Sequence, residues 1–239
     1  MRIRHLLCFL FITLSIVACD KEDVVTSNDN DTTPVTYKPY KGCKVSIMGH
    51  SRCTYKGYIP SSNRTFYPKY DVNNVKLTWW WKLLNVMEAK LEVNESFSAG
   101  RVCNTHPTYP SYIDRVGNLG DPDVILFWGG INDQRKNTPL GTLDFSKPLE
   151  ELDEGCFASA MDKLVRLMFE KYPKAEIIIF IEDSITDEGF IYVLRELATH
   201  YNLKTVDLSA LMFSTGDGIQ YNALGMQQIV DETVKQLGL

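Results

Sequence analysis

Near the C-terminus, Asp217 to Met226 reads DGIQYNALGM, an acid three residues before Gln220 at the entrance to a closing helical stretch. Far upstream, Gly49-His50-Ser51 places a serine hydroxyl in a tight turn. SFSAG places Gly100 where bare backbone can approach a substrate, and GGIND offers the side-chain amide of Asn132. A hydroxyl nucleophile, amide donors for a developing oxyanion and an acid to orient a base are the working parts of acyl transfer. The base itself is missing from the expected place. A neutral imidazole can take a proton from serine and return it to a leaving group, whereas the amide at Gln220 has no usable basicity near neutral pH. Each feature alone is weak, because Gly, Ser and Asn favour turns for reasons of backbone geometry.

The elements that must position these residues are legible. KVSIM (44–48), LEVNESF (91–97), DVILFWGG (123–130), AEIIIFI (175–181) and LKTVDL (203–208) read as strands. Between them, LTWWWKLLNVMEAKL (77–91), GCFASAMDKLVRLMFEKY (155–172), DEGFIYVLRELATHY (187–201) and Asn222 to Leu237 read as helices. Near-continuous apolar strands alternating with helices predict a parallel sheet covered on both faces. The expected fold class is α/β, a three-layer α/β/α sandwich with a flavodoxin-like sheet over residues 41–239. Ligands in such sheets sit beyond the C-terminal strand ends. The serine turn, Gly100, Asn132 and the DGIQ segment all fall on that edge, in order along the chain.

In that order the residues resemble the SGNH, or GDSL-type, hydrolase family over essentially the whole domain. PDVILFWGGIND is the most specific match, and DGIQYNALGM is similar to the family's closing segment. The resemblance implies Ser51 as nucleophile. It also implies an oxyanion held by the Ser51 and Gly100 amides and the Asn132 side chain, and Asp217 as the acid of a DxxH pair. Two positions depart from the family: His50 stands where it has Asp, and Gln220 where it has His. The implied activity is hydrolysis of O-acyl esters of carbohydrates through an acyl-Ser51 intermediate, without a cofactor. The alternative is an inactive relative that keeps the cleft to bind a glycan.

Other histidines are candidates for the absent base. His106 sits in a loop on the functional edge. His50 adjoins Ser51, but neighbouring side chains in a strand-to-turn segment usually point apart. His200, at the end of a helix, reads as a favourable cation at a helix C-terminus. HSRC and CNTH bring His50, Cys53, Cys103 and His106 onto loops of what should be neighbouring strands. A disulfide between Cys53 and Cys103 is the expectation, with a tetrahedral metal site as the lesser alternative. Cys43 and Cys156 are expected to remain unpaired. Tyr55 and Tyr58, soon after the nucleophile turn, suit a sugar-binding rim or simply packing, and packing is the expectation for at least one of Trp79 to Trp81.

The N-terminus sets an expected compartment. Arg2 and Arg4 precede the apolar run LLCFLFITLSIVA, too short for a spanning helix, and IVAC ends at Cys19. That layout resembles a bacterial lipobox, implying a signal peptide over 1–18, lipidation of Cys19 and a tether over 19–40. The expected location is therefore extracytoplasmic, on a bacterial membrane. The formal net charge of −5, more acidic still without Arg2 and Arg4, argues against nucleic acid as a partner. The sequence carries no signal of oligomeric state.

Overall fold

The structure, a computed structural model, describes residues 39–239. The signal peptide, Cys19 and nearly all of the tether expected from the sequence lie outside the described residues.

Five strands form one parallel sheet: β1 (Lys44–Gly49), β2 (Lys90–Asn94), β3 (Val124–Trp128), β4 (Glu176–Ile181) and β5 (Lys204–Asp207). Their spatial order is β2-β1-β3-β4-β5, the flavodoxin-like winding. The inner strands are buried on both faces, and the period-two alternation divides their side chains between two cores. Val45 and Ile47, Leu126 and Trp128, and Ile178 and Phe180 face one core, with α1 (Trp79–Met87) and α6 (Ala223–Leu237) packed on it. Met48, Ile125 and Phe127, and Ile177, Ile179 and Ile181 face the other, under α4 (Phe157–Lys171) and α5 (Glu188–His200). These are the three layers expected.

The first predicted helix is shorter than its apolar pattern. Thr78 starts it by accepting from the Trp81 amide, and Glu88 ends it in a left-handed conformation at φ 53°. That early stop frees Lys90 to begin β2. Two short helices lie where the sequence pattern shows only loop, α2 (Tyr112–Arg115) and α3 (Ile131–Arg135). A capping box at Ser111 and Asp114 starts α2, while α3 follows directly from Gly129-Gly130 at the end of β3.

The chain leaves β1 toward β2 on one side and returns to β3 on the other. The C-terminal ends of β1 and β3 therefore flank the switch point of the winding, where ligands of such sheets bind. Ser51 follows β1 there, and Asn132 follows β3.

Candidate functional site

Strand β1 ends at Gly49, where a Cβ would stand 2.4 Å from the Cys53 sulfur, so only glycine lets the chain turn here. His50 is extended and caps a single 3-10 turn, Ser51–Cys53, accepting from the Arg52 amide at Nδ1 (3.5 Å). Because the strand geometry stops at His50, its side chain and that of Ser51 do not diverge. The imidazole Nδ1 lies 3.5 Å from Ser51 Oγ. His50 and Ser51 are both buried, with the imidazole edge-on to Trp128 at 5.9 Å between centroids.

Gln220 meets the same hydroxyl from the other side of the site. Its Nε2 donates to Ser51 Oγ at 3.0 Å, and its Oε1 is 3.3 Å from that oxygen. Asp217 does not touch the Gln220 side chain. Its Oδ1 accepts from the Ile219 and Gln220 backbone amides at 2.9 and 2.6 Å, and its Oδ2 accepts from the Tyr70 hydroxyl at 2.6 Å. Desolvation alone would raise the Asp217 carboxyl, but the Gln220 amide, the Tyr70 hydroxyl, the Ile219 amide and Lys69 outweigh it and hold it below the ordinary range. Asp217 thus shapes the turn that presents Gln220.

The far side of the imidazole faces a carboxylate that sequence reasoning missed. Glu182 directly follows β4 and is buried; its Oε2 lies 3.0 Å from His50 Nε2 and its Oε1 2.6 Å from Arg52 Nη1. Both contacts are at ion-pair distance without the alignment of hydrogen bonds. Burial would raise the Glu182 carboxyl, but His50 and Arg52 more than offset it and keep it below the ordinary value. Arg52 is itself fixed, reaching Asp183 Oδ1 and Ser184 Oγ at 2.6 Å each, the Ile219 carbonyl and the Tyr221 hydroxyl, with its guanidinium 3.9 Å over the Tyr221 ring. The signal that could have found Glu182 is its place: an acid directly after the apolar run IIIFI on the functional edge.

On the side of β2, Gly100 and Asn132 stand together. Asn132 Nδ2 donates to the Gly100 carbonyl at 2.9 Å, while the Gly100 amide is committed to the Phe97 carbonyl at 2.8 Å. This closes a turn in which Ala99 holds φ 70°, a conformation that normally calls for glycine. A Cβ on Gly100 would come within 2.8 Å of the Tyr112 ring, so the close approach excludes a side chain. Next door, buried Asp133 accepts from the Val102 and Cys103 amides at 3.0 Å each and anchors the loop after Gly100.

Several expected residues sit elsewhere. His106 accepts from the Thr108 and Tyr109 amides at Nδ1 (3.1 and 2.9 Å) and stacks on Tyr109, so its ring is engaged in its own loop. Tyr55 is buried and Tyr58 exposed; Tyr58 lies against Tyr55, Trp80 and Trp81 as the outer edge of an aromatic cluster. Trp79 and Trp80 are core.

The expected Cys53–Cys103 disulfide is absent: both are free, buried thiols. They leave the same sheet edge but pack on opposite faces, Cys53 under α1 and α6 and Cys103 with α4 and α5. Cys156 is also free, whereas Cys43, expected to remain unpaired, is disulfide-bonded. Among the described residues no cluster of His, Cys, Asp and Glu is arranged to hold a metal ion, and none of their helices is long and apolar enough to cross a membrane.

Comparison with known proteins places this geometry in a family. The family model described as GDSL-like Lipase/Acylhydrolase matches residues 43–237. A candidate GDSL-like lipase from Bacteroides ovatus ATCC 8483 is 31% identical, with a TM-score of 0.75, over 83% of this chain and 99% of its own. A similar protein from Bacteroides uniformis ATCC 8492 is 29% identical, with a TM-score of 0.74, over 82% and 96%. A family two carbohydrate esterase from Clostridium thermocellum, solved with cellohexaose, shares the fold at 18% identity and a TM-score of 0.57, over 83% and 66%. No curated protein matches. With a family match spanning nearly all of the described residues, the chain belongs to the GDSL-like lipase/acylhydrolase, or SGNH hydrolase, family.

Proposed function

We propose that this protein is a serine ester hydrolase acting on O-acyl groups of carbohydrates, with Ser51 as nucleophile. The observation that carries the reading is the Ser51 hydroxyl itself, buried at the switch point of a hydrolase-family sheet with polar side chains on two sides. In this reading the Ser51 amide and the Asn132 side chain stabilise the oxyanion, and the Gly100 amide joins them once its turn opens. Asp217 sets the turn that brings Gln220 onto the nucleophile. The aromatic cluster ending at exposed Tyr58 offers a face for a sugar ring. The carbohydrate preference is supported by the fold shared with carbohydrate esterases. From the sequence, we place the protein outside the cytoplasm, anchored through lipidated Cys19.

The test is hydrolysis of an aryl acetate and of O-acetylated oligosaccharides by the full-length protein beside its Ser51→Ala variant. Turnover that disappears in the variant is expected. A second reading, a glycan-binding protein without turnover, is favoured by the amide at Gln220. It predicts oligosaccharide affinity that survives Ser51→Ala and no acetate release by either protein. The anchor is tested separately by incorporation of labelled fatty acid, which Cys19→Ala should abolish.

A further inference from the structure

The proton acceptor missing from position 220 has a counterpart one residue before the nucleophile. We infer that His50 is the general base of this site, with Glu182 and Arg52 as its positioning residues. The inference deepens the hydrolase reading above and rests on it.

The tautomer follows from what surrounds the ring. Nδ1 accepts from the Arg52 backbone amide, so it carries a lone pair, and the ring proton resides on Nε2. Nε2 faces Glu182 Oε2 at 3.0 Å, and Nδ1 faces both the Arg52 amide and Ser51 Oγ at 3.5 Å, so a bound substrate must shorten the second contact at the expense of the first. Gln220 Nε2 donates to Ser51 Oγ, and the hydroxyl, whose other neighbour is Gln220 Oε1 at 3.3 Å, must turn its proton to Nδ1 when substrate binds. Nε2 lies at ion-pair distance from a carboxylate that Arg52 holds by its other oxygen. Glu182 does for this imidazole what an aspartate does in a serine triad: it fixes the tautomer and stabilises the imidazolium as it forms. The two ring nitrogens have exchanged the roles they play in a chymotrypsin-like triad, because base and nucleophile are adjacent in sequence. The two family departures, His50 and Gln220, thereby become one change: an imidazole moved from one side of Ser51 to the other.

The chemistry balances without a co-reactant beyond water. As Ser51 Oγ bonds to the acyl carbon, its proton passes to Nδ1 and the carbonyl electron pair moves onto oxygen. Collapse of the tetrahedral adduct breaks the ester C–O bond, and the departing sugar oxygen takes the proton from Nδ1. Water then attacks the acyl-Ser51 ester, giving a proton to Nδ1. The second collapse breaks the bond to Oγ, which recovers that proton and frees the carboxylic acid.

The experiment compares acetate release by wild type, Ser51→Ala, His50→Ala and Glu182→Gln in the full-length protein, with melting curves for each. His50→Ala is expected to lower kcat by about 10²–10⁴-fold, and added imidazole, entering the space left by the ring, should restore part of it with saturation. Glu182→Gln is expected to lower kcat with KM little changed, and Glu182→Asp to recover part of the loss. Ser51-dependent turnover retained within about threefold of wild type by His50→Ala would overturn the inference and leave the hydrolase reading standing. Loss in a folded His50→Ala protein that imidazole does not relieve would make His50 structural and overturn it as well. No Ser51-dependent turnover in wild type would overturn the hydrolase reading and the inference together.

Discussion

Replacing Arg52 with methionine tests how the buried charges of the site are held. The guanidinium is 2% exposed and contacts Glu182 and Asp183 at 2.6 Å each. Methionine keeps much of the length and loses the charge, so a carboxylate 1% exposed is left without its cation. Breaking a buried ion pair from one side costs about 3–5 kcal/mol, because the remaining charge stays desolvated. The Arg52–Glu182 contact lacks hydrogen-bond alignment, so the lower end, about 3 kcal/mol, is expected. For a domain of this size each kcal/mol moves the melting midpoint by about 2–4 °C, so Arg52→Met should melt about 6–12 °C lower. Urea unfolding gives the free energy directly, and a melting scan gives the midpoint. Adding Glu182→Gln to Arg52→Met removes the stranded charge and should return about 1–2 kcal/mol of the loss. A loss below about 1 kcal/mol in Arg52→Met, or no recovery in the double variant, would refute the argument that Arg52 secures this carboxylate.

Buried Asp133 has its carboxyl pushed up to about 6 from 3.8, chiefly by desolvation, against the pull of the Cys103 and Val102 amides. A folded-state value above the unfolded one means the folded protein binds the proton more tightly. This contribution is fully present below about pH 4 and is lost as pH rises through 6, by about 3 kcal/mol in all. Urea midpoints at pH 4 and pH 7 should therefore differ more for wild type than for Asp133→Asn, in that direction. Gly100→Ala should cost about 1–3 kcal/mol, because the added methyl meets the Tyr112 ring and the Phe97 carbonyl, both within 2.9 Å; urea unfolding reads it, and acetate release should fall with it. Burial pushes the Cys53 and Cys103 thiols up, so a thiol reagent should reach them only on unfolding, while half-buried Cys156 reacts in the native protein. Early reaction of either buried thiol, or its absence after unfolding, would contradict the packing described.

Much of this fold is written locally. Runs such as IIIF and VILFW are apolar at every position because both faces of a central parallel strand are covered, and the helices between them have a clear period. The functional edge follows from that winding, which is why Ser51, Asn132 and Gln220 could be singled out from their order on its loops, with their roles implied by the family resemblance. The contact of His50 with Ser51 was not legible, since alternation along a strand sets adjacent side chains apart and only the 3-10 turn cancels it. Glu182 was hidden for a different reason. Its partners lie more than a hundred residues away in sequence, and no local pattern records which acid at a strand end will meet a distant imidazole and guanidinium. The cysteine pairing failed because a shared edge does not imply a shared face. Cys53 and Cys103 are separated by the thickness of the sheet's packing.

The contact between His50 and Glu182 also constrains what position 50 can accept. The resembling family has an aspartate at position 50, and here that position faces a carboxylate inside the protein at 3.0 Å. A second acid in that pocket, with little solvent, would compete with Glu182 to ionise. An aspartate at 50 in this protein would take away the imidazole that faces Glu182 and put like charge in its place. A one-letter change to aspartate at 50 would therefore not by itself rebuild the resembling family's arrangement here, because Glu182 and the Arg52 that holds it would remain.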